Sequence, residues 1–375
     1  MEESRQPPSA SPTGRLESID ALRGFDMFWI IGGDVFAKAW ARWAGWPPPD
    51  LVEQQLEHVP WEGFHFYDLI FPLFLFVVGV VIPFSHARQR ERGASRAEMY
   101  SRILRRTVLL FALGLLCNGV LQFDWNNLRI AGVLQRIAIC YGFAALIVMH
   151  TGVRGQVLIT VTILLGYWAL LAWVPAPGSA PGDFSMEGNL AGYIDRHFLP
   201  GKILKPWYGY GDNEGLLSTI PAVATALLGA LAGQWLRSGR GAGARVLGLA
   251  LAGVLCLVVG AVWGSVFPII KNIWTSSFVL VAGGWSLLLL ALFHGVIDVL
   301  GFRRWAFFFT VIGANAITIY VVPRFIDFPK IANFFMGGAV RHAGSFAPVA
   351  LQLAVLAVKW LFLLYLYRKR VFLRI

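Results

Sequence analysis

The sequence predicts an all-α, polytopic membrane protein with about ten transmembrane helices and both termini in the cytoplasm. Three observations carry that expectation. The 375-residue chain is 57% hydrophobic and only 14% charged, with a mean hydropathy of +0.62, whereas a soluble domain sits near half apolar and a quarter charged. Too little polar surface is left to cover a water-soluble globule. Apolar runs near the length of a roughly 30 Å hydrocarbon core recur along the chain. Arg and Lys gather on alternate connecting segments, which the positive-inside tendency places in the cytoplasm. Together these exclude a cytosolic enzyme, a disordered chain and a nucleic-acid binder, although the net charge is +11.

The expected spans are 22–42, 66–86, 102–121, 131–150, 156–174, 215–236, 245–263, 277–296, 305–323 and 347–367. The first is the weakest by hydropathy, because Asp26 and Asp34 lie in it with Gly32 and Gly33 between them. With the N-terminus inside, basic residues favour the inner segments by roughly two to one. The inner set includes the run from Arg88 to Arg106 and the later Arg237, Arg240 and Arg245. Residues 1–20 have no apolar core of a signal peptide and read as a disordered cytosolic tail. Residues 21–375 then form a single transmembrane domain with long outer loops near 43–65 and 175–214. The first loop is rich in Trp and Pro and the second in Gly, Pro and aromatics, which suits packing at the outer interface more than disorder. Cys117, Cys140 and Cys256 each lie in an apolar run and imply no disulfide framework.

Ionisable groups inside a membrane are costly and mark functional sites by default. Asp26, Asp34, Asp68, Arg136 and Lys271 are such groups, and Asn315 adds a polar side chain within the ninth span. Asp34, Asp68, Arg136 and Lys271 fall at one depth, toward the outer half of the bilayer; pairing among themselves to stabilise the bundle is the plainer alternative. Histidine is the natural base near neutral pH. His58 and His65 flank Trp61–Phe64 just before the second span, with Glu57, Glu62 and Asp68 nearby. No Ser elbow, phosphate-binding Gly loop, HExxH or paired CxxC occurs, so metal and nucleotide-hydrolysis chemistry have no support.

The stretches RLESIDALRGFDMFWIIGGD and EHVPWEGFHFYDLIFPLFLFVVG resemble the transmembrane acyltransferases related to heparan-alpha-glucosaminide N-acetyltransferase. The likeness continues in order through GVLQRIAICY, DNEGLLSTIPAVATALLGALAGQWL, FPIIKNIWTSSFVL and ANAITIY, over roughly residues 15–325. The resemblance implies transfer of acetyl from cytosolic acetyl-CoA to a glucosamine amine across the membrane, without a metal. It implies a homodimer and, among bacterial relatives, an inner-membrane location. It places the family's catalytic histidine on His58, within a segment that also carries Trp61, Gly63 and Asp68. Where the family has an asparagine, this chain has Asp34.

Acetyl transfer to an amine needs a base to remove a proton and a donor for the tetrahedral oxyanion. His58 is the expected base or acetyl carrier, oriented by Asp34 or Asp68. Lys271, Asn272 or Trp274 would supply the oxyanion donor. Trp61, Trp207 and Tyr208 would stack on a sugar face, with Arg136 and Asn315 as further positioning groups. Arg102, Arg105 and Arg106, and less so Arg237, are the expected partners of the CoA phosphates, because guanidinium suits bidentate phosphate contacts. The alternative is a secondary transporter for a small sugar or organic acid, using the buried charges as a proton relay; the lack of a visible internal repeat counts against it.

Overall fold

Every one of the ten expected spans is helical in the computed structural model, which describes residues 16–203 and 208–373. The first consists of α1 (Glu17–Phe28) and α2 (Asp34–Ala44), joined through a widened turn at Trp29–Gly33. Gly32 sits there at φ +123°, a conformation that a Cβ would oppose. The break follows from the Gly32–Gly33 pair, and it re-aims the chain so that Asp34 opens a new helix. α1 also begins inside the tail expected to be disordered: Glu17–Asp20 are helical, and Ser18 is fully buried. The remainder of that tail lies outside the described residues.

The short α3 (Pro49–Gln55) lies within the first outer loop. It is followed by α4 (Phe66–Glu91), α5 (Arg96–Cys117), α6 (Val133–His150) and α7 (Val153–Trp173). The second outer loop holds α8 (Leu190–Phe198). Then come α9 (Thr219–Leu236), α10 (Ala242–Gly264) and α11 (Ser276–Phe293), the last continuing to Val299. α12 (Ala306–Ala314) and α13 (Ala316–Val321) bend at Asn315 by 73°. α14 (Phe328–Arg341) and α15 (Ala347–Arg368) complete the chain. α14 was not expected, since its 14 residues are too few for a span.

Among the described residues no strand forms, and seven helices are long and apolar enough to cross a membrane, or eight if the bent α12–α13 pair counts as one. The α1–α2 pair and α5 are less apolar, carrying the charges already noted. The protein is thus an integral membrane protein. α4, α9 and α11 occupy the buried centre, whereas α7, α10 and α15 lie at the periphery with most of their surface toward lipid.

Small residues set the spacing at that centre, as they do where helices meet without a hydrophobic driving force. A Cβ at Gly79 of α4 would collide with the Ala226 carbonyl oxygen of α9, and one at Gly229 with the Phe76 carbonyl oxygen. α1 and α12 approach the same way through Gly24 and Gly313. Replacing Gly79 with Leu is therefore expected to wedge α4 from α9 at a cost of about 1–3 kcal/mol or more. Gly166→Leu on α7, where nothing lies within 4 Å of the new Cβ, should stay within about 0.5 kcal/mol. Thermal unfolding of both variants in detergent, read against the unchanged protein, measures the difference.

Candidate active site

The segment between α3 and α4 turns sharply at Gly63, whose φ of +124° suits glycine. Its N–H donates to the Ile269 carbonyl at 2.9 Å, and Glu62 bridges Ile270. The loop preceding α11 is thereby held alongside, and Lys271 is carried next to His58. Thr275 fastens that loop from the other end, its hydroxyl accepting from the N–H groups of Ile270 and Phe278 at 3.0 and 3.4 Å.

Asp68, in the first turn of α4, is the centre of the arrangement. Its carboxylate has no solvent exposure, and a buried charge is tolerated only when paired and hydrogen-bonded. Oδ2 accepts from the backbone N–H of His65 at 3.0 Å and of Val59 at 3.3 Å. Oδ1 lies 2.8 Å from His58 Nδ1 and 3.2 Å from Lys271 Nζ. An ionised carboxylate can only accept, so Nδ1 carries the proton toward Asp68 and Nε2 keeps its lone pair. Lys271 Nζ is 3.3 Å from that Nε2. Burial pulls the Lys271 ammonium below its ordinary pKa, with Asp68 opposing the shift.

His58, Lys271, Asp34 and Trp274 share the wall of a cavity of about 690 Å³. Tyr67 links two of them: its hydroxyl is 3.5 Å from Asp34 Oδ2, and its ring lies 5.0 Å from the His58 ring. The wall also holds Lys38, which pairs with Glu57 at 3.4 Å, and Arg129, which pairs with Glu214. Arg129 Nε also donates to Asp212 at 2.9 Å. Burial works against the Arg129 charge, but the hydrogen bonds it donates to Asp212 and Glu214, with the charges of those carboxylates, outweigh it and hold its pKa above the ordinary value. Arg129, Glu214 and Tyr67 were not singled out from the sequence. The run DNEG was the available signal, since two carboxylates before a membrane helix need a cation.

Other expected site residues lie elsewhere. The Trp274 indole N–H donates to Thr225 Oγ1 at 3.1 Å, so it is committed within the bundle and not free for an oxyanion. Asn272 is 8% exposed and does not line the cavity. Trp61 donates to the Phe184 carbonyl at 2.9 Å and packs on Tyr208, so both rings seal the outer loop. Trp207 lies outside the described residues. Arg136 is buried behind the wall, donating to Gly215 and Ser218 and lying 5.0 Å from the Trp274 ring. Asn315 marks the α12–α13 bend, where it accepts from Thr318 at 3.4 Å. Asp26 is fully buried and apart from the cavity.

A second cavity of about 790 Å³ lies toward the other end of α4, and its wall includes His86, Arg90 and Arg237. Arg237 donates to the Pro83 carbonyl at 3.1 Å. Arg102 and Arg105 are exposed on α5, and Arg106 lies over the Tyr141 ring at 4.4 Å. None of these three reaches either cavity wall. Among the described residues, no group of three or more His, Cys, Asp or Glu is placed to hold a metal.

A family model described as a domain of unknown function (DUF5009) matches residues 15–157. Heparan-alpha-glucosaminide N-acetyltransferase of Homo sapiens is 26% identical over 424 residues, covering 96% of this chain. The enzyme of the same name from Mus musculus is also 26% identical, over 427 residues and 97% of this chain. The chain spans about three-fifths of the length of these relatives, 60% and 61%. Across nearly its whole length, then, this protein is a distant relative of heparan-alpha-glucosaminide N-acetyltransferase.

Proposed function

We propose that the protein is a membrane-embedded acetyltransferase that moves the acetyl group of cytosolic acetyl-CoA to an amino-sugar or glycan acceptor on the far side of the plasma membrane. The observation that carries this reading is the His58 imidazole on the cavity wall, held by Asp68 at 2.8 Å with Lys271 Nζ 2.9 and 3.3 Å from its two ring nitrogens. The relatives' names support acetyl transfer as the reaction class. Ten helical passages, counting α1–α2 and α5, return both termini to the cytosolic side.

His58 Nε2 acts as the base that takes a proton from the attacking amine, or as the atom that carries acetyl. Asp68 supports both roles by fixing the ring and by stabilising the imidazolium that proton uptake forms. The Lys271 ammonium, 2.9–3.3 Å from the ring nitrogens, is the donor placed to meet a developing oxyanion. Asp68 offsets its charge, and burial removes competing water.

The donor enters from the opposite end. Phe74 lines the first cavity and Pro83 the second, and the step of nine positions along α4 from one to the other rises by about 13 Å. An extended pantetheine arm covers that distance. Arg90 and Arg237 in the second cavity then meet the phosphates, a role the exposed Arg102 and Arg105 are less well placed to fill.

Two outcomes are expected with purified protein and radiolabelled acetyl-CoA. His58→Ala should lower acetyl transfer to glucosamine by about 10²–10⁴-fold while acetyl-CoA binding persists; transfer that survives would remove His58 from the chemistry. Arg90→Ala combined with Arg237→Ala should raise the KM for acetyl-CoA about tenfold with kcat near wild type, which corresponds to about 1.4 kcal/mol of lost binding. Arg102→Ala should leave both parameters unchanged. An unaltered KM in the double variant, or a raised one in Arg102→Ala, would move the phosphate site back to α5.

A further inference from the structure

Two of the three donors expected from the loop before α11 are not on hand for a reaction intermediate. The Trp274 indole N–H is held by Thr225, and Asn272 does not line the first cavity. Lys271 remains, and its ammonium already offsets Asp68 at 3.2 Å. A tetrahedral oxyanion is commonly met by two converging donors. A second one has to lie on the cavity wall beside His58 without being committed elsewhere. Lys38 is paired with Glu57, Arg129 with Asp212 and Glu214, and the Tyr320 hydroxyl with Arg324. Tyr67 meets both conditions.

The start of α4 sets it there. Tyr67 and Asp68 are successive residues of the first turn, about 100° apart around the helix axis. One turn thus brings Asp68 to the Nδ1 edge of the His58 imidazole at 2.8 Å and the Tyr67 ring to within 5.0 Å of the imidazole centre, tilted by 37°. The Tyr67 hydroxyl donates to Asp34 Oδ2 at 3.5 Å, well beyond the roughly 2.5–2.7 Å of a strong bond between a hydroxyl and a carboxylate. Asp34 also interacts electrostatically with the Lys359 ammonium of α15, whose own hydrogen bond goes to the Ile31 carbonyl at 2.6 Å. An ionised carboxylate accepts only, so the donor at this point of the wall is the tyrosine. Its O–H is held loosely and re-aims at little cost.

We propose that Tyr67 is a catalytic residue, whose hydroxyl turns from Asp34 to the thioester carbonyl oxygen and shares the developing negative charge with Lys271. This inference rests on the acetyltransferase reading and adds a residue to its chemistry. As the acceptor nitrogen bonds to the carbonyl carbon, the C=O π pair moves onto oxygen, where the Tyr67 O–H and the Lys271 N–H meet it. His58 Nε2 takes a proton from that nitrogen. The pair on oxygen then re-forms the carbonyl, the C–S bond breaks, and CoA leaves as a thiolate that receives the proton from His58. Tyr67 keeps its own proton throughout. With His58 Nε2 as the first attacking atom, the same oxygen carries the charge and calls for the same donors.

The test compares Tyr67→Phe, Tyr67→Leu and wild type, each as the full chain in detergent, by steady-state acetyl transfer from acetyl-CoA to glucosamine and by equilibrium binding of acetyl-CoA. Tyr67→Phe keeps the ring against His58 and loses only the hydroxyl. It should lower kcat by about 10²–10³-fold, the loss typical of one oxyanion donor. KM and Kd for acetyl-CoA should stay within about threefold of wild type, because the lost interaction belongs to the transition state. Tyr67→Leu, which also uncovers the imidazole, should fall at least as far. A Tyr67→Phe kcat within about threefold of wild type would overturn the inference; if Tyr67→Leu alone is impaired, Tyr67 is a packing partner of the imidazole. A raised KM with kcat retained would overturn it too, since the hydroxyl then serves binding. If His58→Ala abolishes transfer and Tyr67→Phe does not, the acetyltransferase reading stands without this residue. If wild type transfers no acetyl, both fall.

Discussion

A carboxylate with no access to water governs the end of the bundle where the first cavity lies. Asp68 lies in the first turn of a membrane helix, where an unpaired anion would cost several kcal/mol. Its two oxygens take two backbone N–H groups, an imidazole and an ammonium. Satisfying it brings the loop of His58, the start of α4 and the loop of Lys271 to one point. Removing one charged partner from such a group typically costs about 3–5 kcal/mol. The same contacts that stabilise the loops therefore also set the histidine tautomer.

The cavity beside this cluster is bordered by opposite charges in pairs, set among Tyr67, Phe71, Phe74, Trp274 and Tyr320. Paired charges make a polar site affordable inside a bundle, since each ion carries its own compensation. Glycines do the complementary work deeper down. Gly79 and Gly229 bring α4 and α9 into backbone contact, closing the centre while leaving room at the two ends. α4 thus has a cavity toward each end, one walled by Tyr67 and Phe74, the other by Pro83 and Arg90. A group-transfer enzyme whose donor and acceptor come from opposite sides of a bilayer needs that separation.

Trp274 shows how residue type and residue role diverge. An indole N–H near a histidine reads as a donor for reaction intermediates, yet here it is bound to Thr225 at 3.1 Å. Arg136 behaves similarly: its charge is turned toward Gly215 and Ser218 behind the wall. Trp274 forms part of the cavity wall, and Arg136 supports it from behind, 5.0 Å from its ring. In a membrane interior, polar groups that lack water find protein partners first, and only those with a reason to remain open do so.

The helical architecture was legible in the residues because hydropathy and span length are local properties, and a bilayer imposes them on each helix separately. For His58 the sequence offered Asp34 or Asp68 as the orienting carboxylate, and the structure pairs it with Asp68, ten positions on at the start of α4. Lys271 stood out as a membrane-depth charge, but its place against His58, 213 residues away in sequence, depends on the backbone bridge between Glu62 and Ile270. No local pattern encodes that distance. Basic residues cluster at every inner loop for topological reasons alone, so the arginines of α5 and those lining the second cavity look alike in sequence. Likewise, Arg129, Glu214 and Asp34 are separate charges along the chain, and only folding decides which meet. Sequence by itself determined the all-helical, membrane-spanning character of the chain, because hydropathy and helix length are read locally. Tertiary structure decided which charges meet one another, because pairing depends on proximity in space.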